Sequence, residues 1–146
     1  MPDLYDSDFY AWTKEQAQAL AAGHLGELDL KNLAEEIESL GKSDRRGLQG
    51  ALEIVLLHLL KWRYQPERQS ESWDDSLTEH RRLVALIAED SPSLRRQIPE
   101  LMLRGYGRAR RAAARQTRLH PATFPDTCPW MPEQVLDDEF FPGRTP

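Results

Sequence analysis

The sequence has 146 residues, of which 40% are hydrophobic and 29% charged, values typical of one globular domain that folds without a partner. There is one cysteine, so an intramolecular disulfide is impossible and a disulfide-stapled secreted scaffold is excluded. Acidic residues near the start replace the basic segment of a signal peptide, and no apolar run approaches the roughly 20 residues that span a bilayer. These features predict a cytoplasmic protein, and its net charge is -5 at pH 7.

Charge is distributed unevenly along the chain. Residues 1–40 carry nine acids and two lysines, whereas residues 91–120 carry eight arginines and one acid. The simplest expectation is that these two regions pack near one another and neutralise each other within the fold.

The first two predicted helices lie within the acidic region. The first begins at Asp6 or Ser7, either of which can cap it, and is broken by Gly23. Its apolar face contains Phe9, Trp12, Gln16 and Leu20. The second begins after Asp29, and its apolar residues fall within about 80° of one another; these are Leu30, Leu33, Ile37 and Leu40. Gly41 followed by Ser43 indicates either a kink or a helix end with a new N-cap, and the sequence leaves both open.

The third predicted helix runs from Gly47 to Tyr64 and is apolar almost all round over residues 54–60. Such a helix must be surrounded by protein, so we expect it to be the central helix of the fold and to pack antiparallel against the second. It ends where Tyr64 and Gln65 precede Pro66, because a residue before proline disfavours the helical conformation.

Two further helices and a tail complete the predicted fold. The fourth helix starts near Ser70 or Ser72 and buries Trp73, Leu77, Val84 and Ile87. The fifth opens at Ser91 and Pro92 and runs to Thr117 with a kink at Pro99. Six of the ten prolines follow His120, interspersed with aromatic residues, which predicts an extended tail with one short helix near residues 132–136. The whole is an all-α single domain over 1–146: a bundle of four to five helices over 1–119, with the Pro-rich tail 120–146 wrapped across it.

Four stretches of the chain resemble a known family. They are Leu4-Tyr5-x-x-Asp8-Phe9-Tyr10-Ala11-Trp12, the run from Asn32 to Ser43, His58-Leu59-Leu60-Lys61-Trp62-x-Tyr64-Gln65-Pro66, and Phe124-Pro125-x-x-Cys128-Pro129-Trp130. Together they resemble the bacterial proteins grouped as domain of unknown function 29. The resemblance implies a helical protein of about this length from bacteria, particularly cyanobacteria and proteobacteria. It carries no activity, cofactor or catalytic residue over to this chain.

His58 is the first candidate functional residue. Its imidazole has a donor and an acceptor to satisfy within an apolar helix, and an unpaired group costs about 1 to 3 kcal/mol. A structural hydrogen bond to a carboxylate, Glu36 above all, or to the backbone is one interpretation. The alternative is a metal or acid-base site that uses Glu36 and His58, with Glu35, Glu38 or His24 as further ligands. No Glu-x-x-His or His-x-x-x-His motif is present, so no metal and no cofactor are expected.

Five arginines of the fifth predicted helix form the second candidate site. Arg104, Arg108, Arg111, Arg115 and Arg118 repeat at spacings of four and three, which aligns them on one helix face. Such a face can bind an anion or a partner, and it could hold nucleic acid through its phosphates. The simpler interpretation is ion pairing, within the chain or with a partner, to acids such as Glu35, Glu38 or the run 137–139. Opposite this face lie small residues suited to close helix packing.

The leading hypothesis is a non-enzymatic binding or adaptor protein that acts through a protein partner or by self-association. Nucleic-acid binding through the arginine face is the first alternative, and a metal-dependent enzyme using Glu36 and His58 is the second. Cys128 is interpreted as a small residue that helps to dock the tail, because Asp126 would raise its pKa. The sequence contains no glycine-rich phosphate loop and no Cys-x-x-Cys pair.

Overall fold

The computed structural model describes residues 3–143, and all regular structure within that range is helical. It contains α1 (Leu4–Ser7), α2 (Phe9–Ala22), α3 (Leu30–Tyr64), α4 (Glu71–Asp90), α5 (Pro92–Arg95), α6 (Ile98–Thr117) and α7 (Pro132–Leu136). The all-α prediction is confirmed. The chain divides into two compact units, Met1–Ser43 and Asp44–Pro146, and the boundary falls within α3. No helix in residues 3–143 is long and apolar enough to cross a bilayer.

Helix α3 runs without interruption through Gly41 for 35 residues. The second and third predicted helices are therefore one helix, and the expectation that they pack antiparallel against each other is wrong. A glycine inside a helix costs only about 1 kcal/mol relative to alanine, which is too little to end a helix that packing stabilises elsewhere. Gly41 is not among the residues with a positive φ, so it forms no left-handed cap.

The first unit contains two helices, α1 and α2, whose N-terminal ends are capped by aspartate side chains. Asp3 caps α1, and the Asp8 carboxylate accepts a hydrogen bond of 3.0 Å from the Ala11 amide at the start of α2. The predicted caps, Asp6 and Ser7, instead lie inside α1. Gly23 ends α2 as predicted, with a left-handed φ of 74° that a residue with a side chain would adopt at a cost.

The interior of the first unit is small. Trp12, Gln16 and Ala19 of α2 are its buried residues among those the structure describes. The Trp12 indole donates a 3.1 Å hydrogen bond to the Asp29 carboxylate, and the Gln16 side-chain oxygen accepts one of 2.7 Å from the Asp29 amide. These bonds attach α2 to the residue that precedes α3, and hydrogen bonds from Asn32 and Trp12 lower the pKa of Asp29.

The second unit has a continuous apolar core built around residues 48–62 of α3. Side chains at 0% exposure include Leu48, Leu52, Val55, Leu56, Leu59 and Leu60. The predicted central position of the segment around His58 is confirmed within this unit. Helix α6 contributes the expected small residue Ala109 to the same core, with Ala112 partly buried against it, and Ala113 is buried there as well.

Helices α4, α5 and α6 follow the predicted start signals with one difference. The Ser70 hydroxyl caps α4 by accepting from the Trp73 amide at 3.3 Å, and Ser91 precedes α5 with Pro92 in its first turn. The fifth predicted helix is not one helix with a kink, because the chain leaves α5 after Arg95 and α6 begins at Ile98. Pro99 has no amide hydrogen, and its ring would clash with the carbonyl four residues earlier, so a continuous helix is disfavoured at this point.

Residues 120–143 are held to the helices of the second unit by hydrogen bonds that two arginine side chains and one tyrosine side chain donate to main-chain carbonyls. The buried Arg81 side chain donates from Nε to the Val135 carbonyl at 2.8 Å and from Nη2 to the Phe140 carbonyl at 2.9 Å. Arg110 donates to the carbonyls of Pro121 and Phe124. The Tyr106 hydroxyl donates to the Pro125 carbonyl at 2.6 Å. The predicted short helix at 132–136 is present as α7, and Phe124 is buried at 2% exposure.

We expect Gly105→Ala to destabilise the protein by about 1 to 3 kcal/mol, because its Cβ would lie 2.7 Å from Cγ of Glu53 and the Glu53 side chain would have to move. Gly50→Ala is the matched control: nothing lies within 4 Å of its added Cβ, so helix propensity should stabilise α3 by up to about 1 kcal/mol. Urea unfolding of both variants measures the difference. Equal effects of the two substitutions would contradict the close approach at Gly105.

We expect Arg81→Ala to lower the free energy of unfolding by about 3 kcal/mol, since two carbonyl acceptors lose a charged donor. Limited proteolysis should then cut residues 120–143 faster than in the parent protein. Arg82→Ala, at an exposed neighbouring position, is the control and should change neither measurement. A tail that stays protected in Arg81→Ala would show that the arginine does not anchor it.

Candidate functional site

Four of the five predicted arginines share one exposed face of α6. Arg104, Arg108, Arg111 and Arg115 lie within the helix at spacings of four, three and four, and all are exposed. We call these four residues the arginine face. Arg118 does not belong to it, because it is the C-cap of α6 with a left-handed φ of 61°. It lines a separate cavity of about 530 Å³ together with Lys61 and Trp73.

Two members of the arginine face are paired with carboxylates. Arg104 contacts Glu100 at 2.9 Å, one turn earlier on the same helix. Arg108 contacts Glu53 of α3 at 3.8 Å, and Gln49 also donates to this carboxylate at 3.3 Å. The side chains of Arg104 and Arg108 are 57% and 70% exposed, so each pair contributes little to stability.

The other two members, Arg111 and Arg115, are not neutralised within the second unit. Among residues 44–143, neither has a carboxylate oxygen within 4.0 Å. The expected pairing of the arginine face with residues 137–139 is therefore not present in this unit. Two guanidinium groups one helical turn apart that lack a counter-charge within this unit leave a local positive potential in the C-terminal part of α6.

A groove runs along one side of Arg111 and Arg115, between α6 and α3. Its volume is about 350 Å³, and it is lined by Glu53, Ile54, Leu57, Arg108, Ala109, Arg111, Ala112 and Arg115. The floor is apolar, and three guanidinium groups border it. We call it the arginine groove. Its shape depends on the small side chains of Ala109 and Ala112, which leave room beside α3.

A second hollow lies on the other side of the same two arginines. It measures about 310 Å³ and is lined by Arg110, Arg111, Ala114, Arg115, Leu119 and Pro121. Arg111 and Arg115 thus form a ridge between two largely apolar depressions. A ligand that contacts both depressions would place its anionic groups on the ridge.

Sequence reasoning missed three residues that shape this region. Arg110 faces away from the arginine face and binds residues 121–126, including the Asp126 carboxylate at 3.2 Å. Tyr106 is buried beneath this face, and burial raises its pKa to about 12. Glu53 is the one acid among the mostly apolar residues 51–60 of α3. An isolated charge in such a stretch indicates a specific partner, which here is Arg108.

One nitrogen of the His58 imidazole is paired within its own helix. Nδ1 lies 2.9 Å from the Ile54 carbonyl, and because a carbonyl can only accept, Nδ1 carries the hydrogen in the neutral ring. The histidine-backbone alternative is thus the one observed. Burial lowers the pKa of His58, and the positive charge of Lys61 acts in the same direction.

Glu36 has a different partner from the one expected. The Tyr5 hydroxyl donates to its carboxylate, and this bond together with burial raises the pKa of Tyr5 to about 12. Glu36 and His58 belong to the same helix, so they do not face each other across a helix pair. Within residues 3–143 no group of three or more His, Cys, Asp or Glu side chains is placed to hold a metal ion. The facing-helix geometry that motivated the metal hypothesis is therefore missing.

Cys128 is half-buried and packs against the core of the second unit. Its thiol lies 3.5 Å from the Trp130 carbonyl. Burial raises the pKa of the thiol, so the cause is desolvation rather than the predicted effect of Asp126.

The lowered pKa of His58 predicts how stability depends on pH. As the pH falls, His58 of the unfolded chain takes up a proton near its ordinary pKa of 6.5, whereas His58 of the folded protein does so only at lower pH. The neutral His58 therefore contributes fully to the stability of the fold above that pH, and this contribution is lost as the pH falls below it. We expect His58→Leu to flatten the decrease in unfolding free energy between about pH 7 and pH 5. Urea unfolding at several pH values measures this dependence. Parallel curves of unfolding free energy against pH for the parent protein and His58→Leu would contradict the lowered pKa of His58.

The comparison with protein-family models matches residues 4–141 to the family described as domain of unknown function DUF29. No match is found among curated proteins or among solved structures. The matched range covers nearly the whole chain and contains all four stretches on which the resemblance was based. The chain therefore belongs to the DUF29 family.

Proposed function

We propose that this chain is a non-enzymatic binding protein that docks an acidic helical segment of a protein partner in the arginine groove. The observation that carries the proposal is the pair Arg111 and Arg115, which have no carboxylate partner in residues 44–143 and border an apolar floor. Cationic groups beside apolar side chains suit a ligand that is both acidic and amphipathic. An amphipathic helix with carboxylates along its flank meets both requirements.

The chemistry of the groove favours a protein segment over a nucleic acid. Ile54, Leu57 and Ala112 offer apolar contacts that a phosphate backbone cannot use. Glu53 already neutralises part of the charge of Arg108, which leaves Arg111 and Arg115 as the cations of the groove that are open to a ligand. No aromatic side chain lines the groove to stack on a base.

Native co-purification tests the proposal with a charge-reversal variant, Arg111→Glu with Arg115→Glu. The matched control is Arg82→Glu with Arg96→Glu, which reverses two exposed arginines that do not line the groove. After nuclease treatment, we expect one acidic protein to be retained by the parent and the control and lost with the groove variant. The complex should weaken at least tenfold between about 0.1 and 0.5 M salt, because exposed charges are screened over that range.

Two results would contradict the proposal. One is an identical set of retained proteins for the parent, the groove variant and the control. The other is a low-salt mobility shift with DNA or RNA that the groove variant abolishes, which would support nucleic-acid binding through the arginine face instead.

A further inference from the structure

Exposed apolar side chains are concentrated in the first unit. Seven large ones lie there, namely Phe9, Tyr10, Leu20, Leu25, Leu30, Ile37 and Leu40, against four among residues 44–143. The same unit buries only three side chains among its described residues. Exposed apolar residues that cluster in this way mark an interaction surface more often than scattered ones do.

The exposed residues of α3 in this unit form a regular stripe. Leu30, Ala34, Ile37 and Gly41 follow spacings of four, three and four, which keeps them within about 60° on a helix. All four are exposed, Leu30 at 69% and Ile37 at 67%. A Cβ built on Gly41 would meet nothing within 4 Å. The stripe therefore alternates a large and a small side chain along an open helix face.

We propose that a second copy of this chain covers the stripe, with the two α3 helices packed antiparallel about a two-fold axis near residues 35 and 36. This pairing places Leu30 opposite Gly41 of the second copy and Ile37 opposite Ala34. Each large side chain then fills the space beside a small one, and the two-fold axis repeats both contacts. A face that is complementary to itself in this way fits a second copy better than an unrelated helix.

Charge on the edge of the stripe agrees with the antiparallel arrangement. Lys31 and Glu38 lie at nearly the same angle around α3, about 20° apart, on one side of the stripe. In an antiparallel pair related by a two-fold axis, equivalent edges face each other, so Lys31 lies near Glu38 of the second copy. The symmetry creates two such Lys–Glu pairs. A parallel pair would instead place this edge against the opposite edge of its partner.

The salt dependence separates this interface from docking in the arginine groove. Residues 1–40 carry nine acids and two lysines, so two first units repel each other at low ionic strength. Salt screens that repulsion and strengthens apolar association. An acidic segment bound to the arginine groove would respond in the opposite direction, which makes the two proposals independent.

Sedimentation equilibrium of the full chain tests the proposal at about 1 to 200 µM protein in about 0.1 and 0.5 M salt. The monomer has a mass of 16.8 kDa. We expect a species of twice that mass whose Kd falls at higher salt. Ile37→Glu should raise the Kd at least tenfold, because it places a carboxylate in the seam. Leu103→Glu is the matched control, since Leu103 is 75% exposed on α6 outside the stripe, and its Kd should stay unchanged.

Three further variants distinguish a loss of dimerisation from a loss of folding. Gly41→Leu should stabilise the monomer through helix propensity and still raise the Kd at least tenfold, because the new side chain takes the space needed by Leu30. Lys31→Glu should weaken the dimer about threefold, and adding Glu38→Lys should restore it. A monomer at every concentration would overturn the proposal. A dimer whose Kd changes with neither Ile37→Glu nor Gly41→Leu would also overturn it. The same holds for a dimer that dissociates at higher salt and when Arg111 and Arg115 are replaced by glutamate.

Discussion

Burial of the second half of α3 is the constraint on which the second unit depends. Residues 48–60 of this helix supply most of its buried side chains, and over residues 54–60 nearly every side is apolar, so this part is stable only when other helices remove it from water. Helices α4 and α6 supply two of the covering surfaces, and residues beyond 120 supply another. The few polar groups in the segment are satisfied individually: His58 bonds to the carbonyl of Ile54, and Glu53 is held between Gln49 and Arg108.

That constraint also positions the arginine groove. Gly105 allows α6 to approach α3 so closely that no side chain fits between its Cα and Glu53. One turn further on, Ala109 and Ala112 keep the gap apolar and shallow, while the arginines project from the outer side of α6. The groove is thus a product of helix packing, and its charge comes from side chains that packing leaves free. Arg110, one position away from the groove, is used instead to hold the tail.

Local signals predicted the parts of this fold that local chemistry decides. Gly23, Ser70 and the short helix at 132–136 were all visible, because a left-handed cap, a hydroxyl cap and a proline in the first turn act within a few residues. The continuity of α3 was not visible, since packing outweighs the small cost of one glycine. The arginine spacing predicted a shared face, whereas the partner of Arg108 is Glu53, which lies more than 50 positions away in the sequence. The role of Arg81 was not predicted, because a charged side chain is normally assigned to the solvent face of a helix. Its spacing from Leu77 and Val84 nevertheless puts it on the buried face of α4.

The binding of Arg81 to main-chain carbonyls affects how the protein is made. Its acceptors lie 54 and 59 residues later in the chain, at Val135 and Phe140. During synthesis the guanidinium therefore cannot make these two bonds until residues 135 and 140 have left the ribosome, long after α4 itself has been made. Because the acceptors are backbone groups, the two hydrogen bonds do not depend on which side chains stand at 135 and 140, although core packing restricts both positions. A proline or an insertion that redirects the carbonyls would release the attachment from the acceptor side.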